Sequence, residues 1–250
     1  LIILRDLYMI LFKGPRDQLL SPLQSVCGIV EKRHTLPILS NVLMEKDGEK
    51  LTLLATDIEI QITTRTPTIG AEKAAMTVGA RKLQDILRSL PESAEVSLAL
   101  EDKRLQLKAG KSRFNLQTLP AEDFPRMSAA DGQSTRLLIT QKKMKRLLGL
   151  VQYAMAQQDI RYYLNGLLLV AKGKELRMVA TDGHRLAYAA EMLDDAPAPI
   201  EVILPRKTVL ELSRQLADSD EPLEITLTPT QARFSFGGIE LVSKLIDGKF

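Results

Sequence analysis

The sequence is poor in the residue types that carry most enzyme chemistry. Its 250 residues include one cysteine, two histidines and no tryptophan, and aromatic residues make up only 4%. A single cysteine excludes an internal disulfide, and Cys27 is predicted to be a buried apolar residue in a reducing compartment. The two histidines lie in different halves and no glycine-rich phosphate loop occurs, so no residues are spaced for a metal site or a catalytic triad. The composition therefore argues against an enzyme.

Long apolar runs are also missing. No stretch of ~18 apolar residues occurs, so no membrane-spanning helix is predicted and no membrane partner is expected. Residues 1–8 carry Arg5 and Asp6 inside a short apolar run, which makes a poor signal peptide. We interpret this segment as a non-native or upstream extension before a first domain that begins at Met9.

What the sequence does contain is an internal repeat. Each half has an Asn, an apolar run, a Gly-bearing turn, a second apolar run and then Ala-Thr-Asp. Asn41 and Asn165 are 124 positions apart, and Thr56 and Thr181 are 125 positions apart. The two halves are therefore predicted to share one fold.

Both halves also share one order of predicted elements: strand, helix, three strands, strand, helix, three strands. The strands alternate apolar with polar residues and are joined by tight turns, which favours antiparallel sheets packed on one face by helices. A linker of small and polar residues at 126–134 separates the halves. The prediction is an α+β protein with domains at 9–128 and 129–250, each of them a half-repeat in itself.

The four predicted helices are basic. They cover 15–33, 80–90, 140–156 and 205–216, and each has more Lys and Arg than Asp and Glu. The third is the extreme case, because it has four basic residues and no acidic one. The chain as a whole carries a net charge of only +3, so the remainder is net negative. Such segregation indicates a helical face that meets a polyanion.

Four segments carry a family resemblance. They are TLPILSN at 35–41, AMAQQD with RYYLNG at 154–166, VATDGHRL at 179–186 and SKLIDGKF at 243–250. Together they resemble the bacterial DNA polymerase III beta subunit family, the sliding clamps. The resemblance runs from Met9 to Phe250 without a large gap.

The resemblance implies a fold and a function. It implies two repeated clamp domains, each with antiparallel sheets outside and two helices on the inner face, as the first two of the family's three domains, with the third absent. Such proteins are processivity factors without a catalytic centre or cofactor, and they encircle duplex DNA as head-to-tail dimeric rings in the bacterial cytoplasm, with the nucleoid. This chain alone is expected to be monomeric, because a head-to-tail ring needs two different surfaces.

The resemblance also implies residues that contact DNA. Arg and Lys would contact phosphates independently of sequence, and tyrosines would stack on unpaired template bases. Arg206 and Lys207 enter as repeat equivalents of Arg81 and Lys82. The DNA-binding residues implied in this way are Arg33, Arg81, Gln158, Tyr162, Tyr163, Arg206 and Lys207.

A second implied site binds partner proteins. Sliding clamps hold short linear motifs of the replicative polymerase, the clamp loader and repair proteins in a pocket with apolar walls and a few orienting polar groups. The residues that match one wall of this pocket are Leu164, Thr181, Gly183, His184, Arg185 and Leu186.

Two alternatives remain. The cluster Thr181–Arg185 gathers an acid, an imidazole and a guanidinium, as in a hydrolase or transferase. Its repeat equivalent, Thr56-Asp57, has the acid without a histidine, which argues against that interpretation. The other alternative is a protein-interaction scaffold that does not bind DNA, which would not require a basic helical surface.

Overall fold

The computed structural model describes residues 9–31, 36–101, 103–128 and 132–250. The chain forms two compact units, the first ending at Arg126 and the second running Met127–Phe250. The interpretation of residues 1–8 as an extension lies outside the described residues. Each unit has the predicted order of strand, helix, three strands, strand, helix, three strands.

In its described residues, the first unit contains eight strands and two α-helices. Its strands are β1 (Met9–Pro15), β2 (Asn41–Asp47), β3 (Lys50–Thr56), β4 (Ile60–Pro67), β5 (Lys73–Gly79), β6 (Glu95–Glu101), β7 (Arg104–Ala109) and β8 (Ser112–Pro120). Its helices are α1 (Arg16–Cys27) and α2 (Ala80–Ser89). Within this unit the strands follow the order β1-β6-β7-β8-β5-β2-β3-β4, and the neighbours whose register is defined are antiparallel.

The second unit repeats these elements. Its strands are β9 (Thr135–Thr140), β10 (Gly166–Lys172), β11 (Glu175–Thr181), β12 (Leu186–Met192), β13 (Ile200–Pro205), β14 (Pro222–Leu227), β15 (Gln231–Phe236) and β16 (Ile239–Lys244). Its helices are α3 (Gln141–Val151) and α4 (Arg206–Gln215). Antiparallel strands form two four-stranded arrays, β12-β11-β10-β13 and β16-β15-β14-β9.

The helices cover the sheets with apolar side chains three or four positions apart, as the periodicity predicts. In α3 the side chains of Met144, Leu147, Leu148 and Val151 are buried. The basic residues of this helix occupy its other positions. Burial of an aliphatic side chain contributes about 1.5–3 kcal/mol, so these faces hold the helices against the sheets. The predicted α+β architecture is confirmed.

Two predicted helix bounds were wrong. α1 ends at Cys27 rather than at residue 33. Gly28 keeps helical φ and ψ, but the Val30 N–H donates to the Cys27 carbonyl at 3.2 Å in a tighter turn, and the apolar Ile29 and Val30 are buried outside the helix. The shortened helix keeps only Arg16 and Asp17, which pair with each other at 2.7 Å, so α1 is not basic. α3 ends at Val151 and is followed by a 3-10 turn.

The sequence pattern predicts strands over 57–66, 163–171 and 183–191, and each of them begins three residues later in the structure, at Ile60, Gly166 and Leu186. β4 begins at Ile60 rather than at residue 57, although Ile58, Ile60 and Ile62 alternate with polar residues. Ile58 has a positive φ of 71°, so its backbone forms a corner rather than a strand. The corresponding strand of the second unit, β12, likewise begins at Leu186 rather than at residue 183.

Candidate functional site

A polar corner of the second unit joins β11 to β12 and spans Thr181–Leu186. The Thr181 hydroxyl donates to the Arg185 carbonyl at 2.7 Å and accepts the Gly183 N–H at 3.1 Å. Asp182 Oδ1 accepts the N–H groups of His184 and Arg185, each at 3.0 Å. Gly183 has a φ of +86°, a conformation that glycine adopts without steric cost. The corner is therefore held by its own side chains.

The carboxylate of this corner stays ionised. The His184 and Arg185 backbone N–H groups lower the pKa of Asp182, and the Arg185 guanidinium acts in the same direction. Arg185 Nε donates to Asp182 Oδ2 at 3.0 Å, and the Arg185 guanidinium lies 5.5 Å from the centre of the Tyr153 ring. Arg185 is thus oriented by an ion pair on one side and by an aromatic ring on the other.

Next to this corner lies the loop 156–165, which connects α3 to β10. The Asp159 carboxylate accepts the Arg161 backbone N–H at 2.8 Å and two guanidinium N–H groups at 2.8 and 3.0 Å. These bonds, chiefly those from the Arg161 side chain, lower the pKa of Asp159 to about 2. The amide side chain of Asn165 binds both the N–H and the carbonyl of Asp159, at 2.8 and 2.9 Å. The loop is therefore internally braced.

The loop and the corner touch at Gly183. A Cβ atom placed on Gly183 would lie 2.9 Å from Arg161 Nη2 and 3.4 Å from Nη1. A methyl group on Gly183 would therefore require the end of the Arg161 side chain to shift. The positive φ strains any other residue at this position even when there is space.

The predicted peptide-pocket residues differ in exposure. Leu186 is exposed over 65% of its surface, and Gly183, His184 and Arg185 are also exposed. Leu164 is buried, and its N–H donates to the Arg161 carbonyl at 2.8 Å. The corner therefore presents an apolar and a cationic side chain to solvent, while Leu164 is a buried residue of the loop.

The predicted DNA-binding residues lie in three places. Gln158 and Tyr162 are exposed on the loop, where Tyr162 and the half-buried Tyr163 form an edge-to-face pair 6.0 Å apart. Arg206 opens α4 and donates to the Met155 carbonyl at 3.3 Å, and Lys207 follows it.

In the first unit, Arg81 donates to the Val30 carbonyl at 2.5 Å. Arg81 is therefore also a structural residue. Arg33 lies outside the described residues.

Sequence reasoning did not assign Tyr153 or Arg161 to a site. Both lie outside the Thr-Asp-Gly-His-Arg motif, and each meets the corner through a contact between residues more than 20 positions apart. The one available signal was the Asp159-Ile160-Arg161 spacing, which allows a local ion pair but does not indicate its neighbour.

A metal centre is not indicated in the part of the chain that the structure describes. Within those residues no three His, Cys, Asp or Glu side chains gather as metal ligands. None of the helices described above has the length and apolar composition needed to cross a membrane.

Comparison with known proteins identifies the family of this chain. The family model of the DNA polymerase III beta subunit N-terminal domain matches residues 10–128, and that of the central domain matches residues 138–250. The chain belongs to the DNA polymerase III beta subunit family. The resemblance inferred from the four motifs is therefore confirmed.

Individual sliding clamps are similar over nearly the whole chain. The beta sliding clamps of Pseudomonas aeruginosa and Escherichia coli K12 are 47% and 44% identical to it, and each match covers 96% of this chain and 65% of the relative. The chain thus spans about two thirds of the length of these relatives.

Solved clamp structures share the fold. A crystal structure of the P. aeruginosa clamp bound to griselimycin has a TM-score of 0.92 at 45% identity, over 97% of this chain and 66% of that one. A clamp from Caulobacter crescentus, described with polyethylene glycol bound to a putative beta-motif tethering region, has a TM-score of 0.89 at 39% identity, over 97% of this chain and 66% of that one.

Proposed function

We propose that this chain is part of a DNA polymerase processivity factor, a ring-shaped sliding clamp that encircles duplex DNA and tethers the replicative polymerase. In this proposal it has no catalytic centre, and it works in the bacterial cytoplasm with the nucleoid. The observation that carries the proposal is the braced corner Thr181–Leu186, which presents Leu186 and Arg185 to solvent. A site for linear motifs needs this combination of an apolar contact and an orienting polar group.

The corner is better suited to binding than to catalysis. Asp182 accepts two backbone N–H groups and an arginine, so its oxygens are occupied by the fold. A carboxylate with a lowered pKa in such a turn is a poor general base. What remains accessible are the Leu186 side chain, the His184 ring and the outer edge of the Arg185 guanidinium.

The proposed DNA contacts rest on the charges of α3 and on the loop tyrosines. Lys142, Lys143, Lys145 and Arg146 lie on α3, which has no acidic residue. Lys143 and Arg146 share Glu191 at 3.6 and 3.8 Å, and Lys145 donates to the Leu216 carbonyl. Lys142 is exposed, so we add it to the proposed phosphate contacts.

A peptide titration tests the pocket. A fluorescent linear-motif peptide with two apolar anchors is titrated into this chain, with the P. aeruginosa clamp as positive control. We expect Leu186→Asp to weaken binding at least tenfold, because it places a charge where an apolar anchor packs, and Leu138→Asp to leave binding unchanged. Leu138 is a matched control, since it is equally exposed on β9. Equal affinities for the Leu186 and Leu138 variants would contradict the pocket.

Salt dependence tests DNA binding against the scaffold alternative. Binding of duplex DNA should be independent of sequence and should fade as salt rises. The Lys142→Gln variant should reduce the salt slope by about one unit, and the Arg33→Ala and Arg81→Ala double variant by about two. A chain that does not bind duplex DNA at low salt would favour the scaffold.

Because ring formation needs two different surfaces, sedimentation of the chain alone should show a monomer.

A further inference from the structure

We propose that Arg161 is a positioning residue for the corner Thr181–Leu186, and that it acts through its contact with Gly183. The inference rests on the proposed peptide site and deepens it, because it makes the loop that carries the proposed DNA contacts a structural support of the peptide pocket. Arg161 need not touch either ligand to do this.

The first argument is the rigidity of Arg161 itself. Its guanidinium is held at Nε and Nη2 by the two oxygens of Asp159, at 3.0 and 2.8 Å. Such a two-point pair fixes the plane of the guanidinium as well as its position. Asp159 is in turn held through its backbone by the Asn165 side chain. The Asn165 carbonyl accepts the Arg206 N–H at 3.0 Å, so the brace reaches the first residue of α4.

The second argument is the closeness of Arg161 to the corner. If Gly183 carried a Cβ atom, the Nη2, Nη1 and Cζ atoms of Arg161 would all lie within 3.5 Å of it. Along the chain, Gly183 follows Thr181 and Asp182 and precedes His184 and Arg185. Asp182 accepts the backbone N–H groups of His184 and Arg185. A shift of Gly183 therefore moves both exposed polar side chains of the proposed pocket.

The third argument is the repeat. The corner of the first unit has Ile58 where the second has Gly183, and Ile58 keeps a positive φ of 71° despite its branched side chain. The shift of 124 that aligns Asn41 with Asn165 places Pro37 at the position of Arg161. Proline has no guanidinium to place against the corner. The arginine and the glycine thus occur together in one unit and are both replaced in the other.

Amide hydrogen exchange followed by NMR tests the contact without any peptide. In the Arg161→Gln variant we expect the Gly183, His184 and Arg185 amides to exchange about fivefold faster, an effect typical of losing one contact in a coupled network. The Ile58 and Glu59 amides of the other corner should be unaffected. Unchanged exchange at Gly183 would overturn the proposal.

Peptide affinity tests the functional consequence. Arg161→Gln and Arg161→Lys should each weaken motif-peptide binding about fivefold, since lysine keeps the charge but not the flat two-point pair. Arg177→Gln is the matched control, because Arg177 forms a similar pair with Glu175 on β11. Full affinity in the Lys variant would show that charge alone matters and would overturn the positioning role.

A double-variant cycle separates the contact from backbone strain. Gly183→Ala should weaken peptide binding about tenfold in the unmodified chain but only about twofold beside Arg161→Gln, because the clash depends on the guanidinium. Fully additive effects would overturn the contact. If the unmodified chain does not bind the peptide while the exchange result holds, the proposed pocket fails, and with it the role of Arg161 in binding.

Discussion

The two β-corners of the repeat have the same hydrogen-bond frame but differ in how deeply its base is buried. In the first unit the Thr56 hydroxyl donates to the Ile60 carbonyl and accepts the Ile58 N–H, and Asp57 Oδ1 accepts the N–H groups of Glu59 and Ile60. These four bonds recur at Thr181–Arg185 with every residue shifted by 125. Only the second corner carries a histidine and an arginine.

The difference between the corners lies in burial. Thr56, Asp57 and Ile60 are exposed over at most 8% of their surface, whereas their counterparts Thr181 and Asp182 are half-buried and Arg185 is exposed. The residues at the tip of the turn are exposed in both units. The same hydrogen-bond frame therefore has a buried base in the first unit and a more accessible base in the second, where it forms the candidate binding corner. The comparison teaches that the local bonds build the turn, while the surroundings decide what the turn can do.

The largest expected effect separates the two aspartates. Asp57→Ala should lower the free energy of unfolding by about 2–3 kcal/mol, because it leaves the Ile60 N–H buried without an acceptor. Asp182→Ala should have a clearly smaller effect, since water can reach the amides that it releases. Urea unfolding of both variants measures the difference. Equal losses of stability would mean that burial does not distinguish the corners.

The next effect concerns Gly183. Gly183→Ala should destabilise the chain by about 2 kcal/mol, because the left-handed backbone costs a non-glycine residue about 1–2 kcal/mol and the Arg161 contact adds to it. Gly173→Ala is the matched control, since Gly173 has a φ of +59° and its Cβ would meet nothing within 4 Å. Thermal unfolding of both variants checks this. A larger loss for Gly173→Ala would contradict the role of the contact.

A smaller effect of opposite sign is expected at Ile58. Ile58→Gly should stabilise the first unit by about 1 kcal/mol, because glycine removes the strain of a branched residue with a left-handed backbone. The greater conformational entropy that glycine loses on folding offsets only part of this gain. Ile58 is already 41% exposed, so little burial is lost. The urea midpoint gives the answer. A fall in that midpoint would show that the packing of Ile58 outweighs its strain.

The smallest effect is one of pH. Arg161 lowers the pKa of Asp159 from 3.8 to about 2, so the folded state holds this carboxylate ionised more strongly than the unfolded chain does. The resulting stabilisation is complete above pH 3.8 and is lost as the pH falls towards 2. The Asp159→Asn variant should therefore lose less stability over this range than the unmodified chain. If the two proteins lost stability identically as the pH falls, the ion pair between Asp159 and Arg161 would not stabilise the loop.

Much of the fold could be predicted because its signals are local. The signals lie within short windows of sequence: the alternation of buried and less buried residues in β10 and β11, the apolar spacing of α3 and the two Ala-Thr-Asp motifs. The errors arose where a period continued past the element. Ile29 and Val30 extend the helical pattern of α1, yet they are buried beyond its end, and Ile58 continues an alternation that its positive φ breaks.

The sequence by itself determined the repeat, the order of strands and helices and the turn-forming Thr-Asp pairs, because each of these depends on neighbouring residues. Only the tertiary structure decided that Thr56 and Asp57 are buried while Thr181 and Asp182 are half-buried. It alone placed Arg161 on Gly183 and the Tyr153 ring beside Arg185. Burial and such contacts join residues far apart along the chain, so they depend on how the sheets, helices and loops pack, which no local pattern encodes.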